Sequence, residues 1–224
     1  MQCPVVTAPT IGIAGATDRF PVRRIFCVGQ NYADHAREMG SDPERQEPFF
    51  FSKPADAVVP GGGTLPYPSM TQDLHHEVEL VVALGAGGKD ITADDALATI
   101  FGHAVGIDLT RRDLQGAAKK AGRPWDMAKG FDRSAPIAAL TRGAPPAAGP
   151  IALTIDGESR QAGDLSMMIW SVAEVIAALS RFVELAPGDL IFTGTPAGVG
   201  PITPGQHVRA TIADLEPLEI RFAD

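Results

Sequence analysis

His75-His76-Glu77-Val78-Glu79-Leu80-Val81-Val82-Ala83-Leu84 decides how this chain is read. The run reads as a buried β-strand over Glu77–Leu84, and strand residues two apart point to the same face. Glu77 and Glu79 are therefore placed side by side at the mouth of an apolar strand, repelling each other unless a cation joins them. A third acid, Asp108, ends the apolar stretch Gly102-His103-Ala104-Val105-Gly106-Ile107. Three carboxylates ending two apolar strands make an oxygen-only donor set for a hard divalent cation, Mg²⁺ or Mn²⁺ first and Ca²⁺ second. The competing reading puts Glu79 on a solvated sheet face.

Outward from this stretch, 24 Gly and 19 Pro are spread through all 224 residues. Many turns and short strands, hence a mainly β fold with flanking helices, follow from that punctuation. Apolar runs predict further strands at Arg24–Val28, Phe49–Ser52, Gly102–Ile107, Ile151–Ile155, Asp189–Phe192, Gln206–Ala213 and Leu218–Phe222. Ser171-Val172-Ala173-Glu174 is a capping box, and Val175, Ile176, Leu179 and Phe182 carry the helical spacing to about Val183. Shorter helices are predicted over Asn31–Met39, after Thr92, and from Thr110 to about Ala121. No boundary forces two domains: Met1–Asp18 reads as an N-terminal segment and residues 19–224 as a single catalytic domain.

Lys and Arg number 19 against 27 Asp and Glu, so the formal charge of −8 disfavours a nucleic-acid partner. Two cysteines, Cys3 and Cys27, make no disulfide framework and suit a reducing compartment. No secretory signal or bilayer-length apolar run is evident, and the chain is expected in the cytoplasm.

His35 and Glu38 lie three apart on the Asn31–Met39 helix and share a face. A His oriented by a carboxylate is suited to general-base work. Arg112 and Gln115 share the helical face that follows Asp108. Lys129, set among Trp125, Gly130 and Phe131, is an unusual place for a merely solubilising charge. Thr193-Gly194-Thr195-Pro196 is a strand-to-loop transition able to offer N–H groups and hydroxyls to an anion. No zinc-protease motif, nucleophile elbow or phosphate-binding Gly-rich loop occurs.

Taken in order, Val28-Gly29-Gln30-Asn31-Tyr32-Ala33-Asp34-His35, Lys53-Pro54, Glu77-Val78-Glu79, Gly106-Ile107-Asp108-Leu109-Thr110-Arg111-Arg112-Asp113-Leu114-Gln115, Lys129-Gly130-Phe131-Asp132 and Thr193-Gly194-Thr195-Pro196 resemble the fumarylacetoacetate hydrolase family. The similarity is to its short, single-domain branch of acylpyruvate and fumarylpyruvate hydrolases and some oxaloacetate decarboxylases. It implies a mixed β-sandwich roll, usually a homodimer, with Mg²⁺ or Mn²⁺ on Glu77, Glu79 and Asp108. His35 and Glu38 match the branch's catalytic dyad, Lys129 lies next to the metal as a third catalytic residue that stabilises an oxyanion, and Thr195 matches a substrate-contacting threonine. Arg112, Gln115 and Lys53 are expected to bind substrate. The implied reaction is cleavage of a carbon–carbon bond in a 2,4-diketo acid, with fumarylpyruvate, a substrate of the gentisate-degradation type, favoured. A dicarboxylate of that kind needs a second cation, for which Arg37, Lys53 and Arg123 are the candidates. An oxaloacetate decarboxylase, a broader acylpyruvate hydrolase and a non-catalytic Ca²⁺-stabilised binding module are the alternatives.

Overall fold

The computed structural model describes residues 2–38, 40 and 46–223. The stretch that opened the sequence divides at Glu77. Leu74–His76 joins a small three-stranded sheet, and Val78–Leu84 joins the largest one. Glu77 is thus not the first residue of the strand but the hinge between two sheets.

Val78–Leu84 occupies the middle of the large sheet. Ile100–Ile107 pairs antiparallel along one side of it, from Val78 opposite Ile107 to Leu84 opposite Ile100. Asp189–Phe192 pairs antiparallel on the other side, followed by Arg24–Val28 in parallel and Phe50–Lys53 at the edge. Beyond Ile100–Ile107 come Ala135–Ile137 and Val58–Pro60. A second sheet holds Glu158–Asp164, Pro150–Ile155, His207–Ile212, Leu218–Phe222 and Gly63–Leu65, in that order. The architecture is therefore mainly β, a curled mixed sheet packed on a second sheet with flanking helices.

The alternation along the central strand explains its composition. Leu80, Val82 and Leu84 enter a core that also contains Ile151, Leu153, Val208 and Ile212 of the second sheet and Val175 and Leu179 of a helix. Val81 and Ala83 enter a second core with Ile11, Ile25, Cys27, Leu190 and Phe192. Both faces are dry, so the strand reads as a continuous apolar run instead of alternating with polar residues. Glu79 consequently has no solvated face to occupy: it is only 2% exposed, which removes the competing reading of that residue.

The helix Val172–Phe182 begins at the expected capping box, with Ser171 Oγ accepting from the Glu174 N–H and Glu174 accepting from the Ser171 N–H. The helix expected from Thr110 instead runs over Arg112–Lys120. Thr110 and Arg111 form a two-residue strand that pairs with Leu74–His76, so no side chain caps this helix. Ala33–Glu38 is helical, and the last residue of the predicted Asn31–Met39 helix lies outside the described residues. The N-terminal stretch is joined to the fold by Thr10–Gly12, which pairs with Arg19–Pro21 and buries Ile11. Among the described residues no helix is long and apolar enough to cross a membrane.

Gly106 sits directly opposite Glu79 in the ladder. A Cβ there would lie 2.5 Å from Val81 Cγ2 and 2.9 Å from the Phe192 ring. The missing side chain is what lets the strands carrying Glu79 and Asp108 close on the Phe192 strand. Gly106→Ala is expected to cost about 1–3 kcal/mol through overpacking, read as a lowered midpoint in denaturant unfolding with an unchanged slope.

Candidate active site

Glu77, Glu79 and Asp108 converge from three places: the hinge after Leu74–His76, the start of the central strand, and the end of its neighbour. The Asp108 N–H donates to the Glu77 carbonyl at 2.8 Å, which locks the hinge against the strand end. All three acids are buried, and each offers a carboxylate oxygen within 4.8 Å of the others. Burial of this kind strongly disfavours charge unless cations accompany it.

Three basic residues accompany it. The Lys129 ammonium donates to Glu77 Oε2 at 2.9 Å, Asp108 Oδ2 at 2.7 Å and Thr110 Oγ1 at 2.6 Å. Arg112 donates from Nη2 to Glu77 Oε1 at 2.5 Å and from Nη1 to Gln115 Oε1 at 2.6 Å. The Lys53 ammonium lies 2.7 Å from Asp108 Oδ1 and donates to the carbonyls of Leu109 and Lys129. Burial works against charge on Glu77, but Lys129 and Arg112 outweigh it and hold its carboxyl well below the usual carboxylate range. Burial likewise works against charge on Lys129, and Asp108 and Glu77 outweigh it, raising the ammonium above its ordinary value.

Glu79 is the exception. Among the described residues it forms no ion pair, and its Oε2 accepts only the Gly194 N–H, at 2.6 Å. Burial, then Asp108, then Glu77 push it well above the carboxylate range. Asp108 Oδ1, though close to Lys53, accepts no hydrogen bond. One acid without a cation and one buried oxygen without a donor, in an all-carboxylate set, fit a hard divalent cation; Mg²⁺ or Mn²⁺ would be held by Glu77, Glu79 and Asp108.

Glu77 and Glu79 form one wall of a cleft that His35, Arg112, Gln115, Lys119, Lys129 and Thr195 also line, with Asp108 wholly buried beside them. His35 is buried on the Ala33–Glu38 helix, its Nδ1 3.3 Å from Glu38 Oε2. Glu38 also accepts the Gly198 N–H at 3.3 Å, tying this helix to the loop that carries Thr195. Because the Gln115 carbonyl oxygen accepts from Arg112, its amide N–H groups are the part left to face the cleft. Phe49, Phe51 and Trp125 make an aromatic wall, with the Trp125 ring 5.7 Å from Phe49 and 5.8 Å from Phe51.

The structure thus brings eight of the ten residues singled out in the sequence to this cleft or to its dyad, with Asp108 buried against Glu77 just outside the lining. Lys53 is paired with Asp108, its side chain fully buried and, like Asp108, absent from the cleft lining. Arg37 is an exposed partner of Asp34 at 2.5 Å, and Arg123 lines an adjoining chamber with Phe49–Phe51 and Trp125. Cys27 is a core residue whose thiol burial pushes up, consistent with an inert thiol. Two cleft features escaped the sequence reading. Lys119 continues the stripe of Arg112 and Gln115 at helical spacing, a signal present in the sequence. Gln161, wholly buried behind Thr195, lies on the strand Glu158–Asp164, whose residues carry no apolar alternation.

The sign of the pH response follows from Glu79. Its raised value means that the folded, metal-free protein keeps a proton that the unfolded chain has lost above about pH 4.5. Stability of the metal-free protein therefore falls as pH rises through that range, and a cation that replaces the proton binds more tightly in the same direction. The Mn²⁺-induced rise in Tm is expected to be larger at about pH 8 than at about pH 5.5, and Glu79→Gln should flatten the difference. A metal increment independent of pH in the wild type would contradict this assignment.

Comparison with known proteins places these residues in context. Residues 24–223 match the family model described as the fumarylacetoacetate hydrolase C-terminal domain. The fumarylpyruvate hydrolase of Pseudomonas aeruginosa, solved with Mn²⁺ and pyruvate, is 49% identical and superposes with a TM-score of 0.97 over 100% of this chain and 99% of that one. The oxaloacetate tautomerase YcgM of Escherichia coli is 42% identical over 202 residues, spanning 88% of this chain and 91% of that protein. A mitochondrial oxaloacetate decarboxylase of Dictyostelium discoideum is 38% identical over 198 residues, spanning 87% and 90% respectively.

Proposed function

This chain belongs to the fumarylacetoacetate hydrolase family, and we propose that within it the protein hydrolyses acylpyruvates, fumarylpyruvate foremost, to a carboxylic acid and pyruvate. The observation that carries the reading is that one cleft holds His35, oriented by Glu38, together with Glu77, Glu79 and Lys129. A decarboxylation needs no attacking water and therefore no base at that position. The likeness to a fumarylpyruvate hydrolase along the full chain supports the choice of acyl group. The reading extends to a homodimer in the cytoplasm acting on a small molecule.

When bound, Mg²⁺ or Mn²⁺ would supply positive charge to the 2-oxo acid end of the substrate, where negative charge grows as the bond breaks. Glu38 accepts from His35 Nδ1–H and leaves Nε2 as the base. His35 takes a proton from water, and the oxygen adds to the distal carbonyl. The Gln115 amide donates to the oxyanion that results. Collapse breaks the bond between that carbon and the methylene, releasing the acid. The electron pair passes to the pyruvate fragment as its enolate, which His35 reprotonates at carbon. The aromatic wall packs on the flat, conjugated acyl chain, and Lys119 at the mouth pairs with its far carboxylate.

The second reading, oxaloacetate tautomerase or decarboxylase, is favoured by the names of the relatives from Escherichia coli and Dictyostelium discoideum. Loss of the conjugated enol absorbance of fumarylpyruvate, followed with Mn²⁺, Mg²⁺ or chelator, separates the two when oxaloacetate is run in parallel. Chelator-sensitive release of fumarate and pyruvate is expected. His35→Ala should lower kcat on fumarylpyruvate by about 10²–10⁴ and affect oxaloacetate decarboxylation far less. Turnover of oxaloacetate alone, indifferent to His35, would move the assignment to the second reading.

Lys119 yields a sharper check on the acyl group. Lys119→Met should reduce kcat/KM for fumarylpyruvate about tenfold, the loss of one charge-assisted contact, and leave acetylpyruvate nearly unchanged. An equal effect on both substrates would remove Lys119 from acyl recognition.

A further inference from the structure

Gln161 is a fully buried amide with four hydrogen bonds, two of which fix its orientation. The Val78 N–H, a group that only donates, meets Oε1 at 3.1 Å. The Pro196 carbonyl, which only accepts, meets Nε2 at 2.8 Å. No flipped arrangement satisfies both main-chain groups. His76 Nδ1 adds a contact to Oε1 at 2.9 Å. The remaining N–H of Nε2 then points at Thr195 Oγ1, 2.7 Å away.

This settles what Thr195 can do. Its hydroxyl has one proton, and Oγ1 already accepts from Gln161, so that proton must be directed elsewhere. Thr195 is only 2% exposed, it lines the cleft beside the acids, and among the described residues its hydroxyl has no protein acceptor. We propose that Gln161 is a positioning residue that turns the Thr195 hydroxyl into a fixed hydrogen-bond donor aimed into the cleft, so that this end of the site selects an electron-rich oxygen, the carboxylate of a 2-oxo acid. The same amide grips Val78, the residue between Glu77 and Glu79. Gln161 therefore also holds the donor at a set distance from the acid pair, joining the two sheets at the point where a ligand bridges them. This inference rests on the acylpyruvate reading for the identity of the ligand and not for the geometry of the donor.

The test measures pyruvate binding to the Mn²⁺-loaded protein by calorimetry, with Mn²⁺ affinity measured separately in the absence of pyruvate. Thr195→Val should weaken pyruvate about tenfold, the worth of one hydrogen bond to a charged group, while Thr195→Ser retains binding. Gln161→Glu keeps the shape but turns Thr195 round, since a carboxylate accepts the hydroxyl proton; it should weaken pyruvate by a similar factor with Mn²⁺ affinity little changed. The double variant should bind pyruvate no more weakly than Thr195→Val alone, because nothing is left to misdirect. Gln161→Met, expected to cost about threefold, serves the same cycle if the glutamate variant does not fold. Wild-type affinity in the Gln161 variants, additive losses in the double variant, or a loss of Mn²⁺ affinity that accounts for the whole effect would overturn the proposal. A wild-type protein that turns over acetylpyruvate but shows these failures condemns the role of Gln161 alone. One that neither binds pyruvate nor turns over an acylpyruvate condemns the functional reading, and the proposed ligand with it.

Discussion

Three carboxylates buried within 4.8 Å of one another are the constraint around which this molecule is organised. Removing one such charge from water without compensation costs several kcal/mol, comparable with the whole stability of a domain. The fold meets that cost with cations drawn from three separate segments. Lys53 comes from the edge strand of the large sheet, Arg112 from the first turn of a helix, and Lys129 from a one-turn helix that the β-rich sequence pattern does not announce. The three are matched in sign and number, yet their geometry is unequal. Glu77 and Asp108 are served and Glu79 is not. The inequality gives the site its character: two acids are paired with cations and preorganised, while the third is the one whose charge a divalent cation would balance.

The same constraint explains why the fold is legible in part. Where a strand is buried on both faces, its residues form an uninterrupted apolar run, and Val78–Leu84, Ile100–Ile107, Arg24–Val28 and Asp189–Phe192 announce themselves that way. Leu74–His76, Thr110–Arg111 and Gly200–Ile202 do not, since each is too short to show a period and exists because the others bring it there. Glu77 shows the cost of reading one run as one element. The spacing of two between the acids correctly put them together, but their meeting depends on a hinge and on the Asp108 N–H, not on an unbroken strand.

The candidate site was legible to the extent that its residues carry unusual chemistry for their surroundings. An acid at the mouth of an apolar strand and a lysine among aromatics violate local expectation, and such violations mark sites where stability is given up for function. Lys53, a buried lysine paired with Asp108, violates expectation equally. Gln161 violates nothing. A glutamine in a polar strand is ordinary, and only the closure of one sheet on another reveals that it is wholly buried.

The arrangement divides labour between rigid and adjustable parts. The acids, Gln161 and Thr195 belong to the two sheets and their junction, and Lys129 reaches the acids from the one-turn helix Asp126–Lys129. His35 and Glu38 sit on a six-residue helix, anchored before its start by Asn31, whose amide donates to the Trp170 and Thr193 carbonyls, and at its end by Glu38, which accepts the Gly198 N–H. A helix of that length has little stability of its own. On the acylpyruvate reading, the groups that would hold the 2-oxo acid end are preorganised by the core, and His35, the proposed base, is carried by a short helix. Relatives named for different reactions on 2-oxo acids are what such a division would permit. On that reading the core would fix how the shared end is held, and the placement of His35 on a short helix would set whether water is activated beside it.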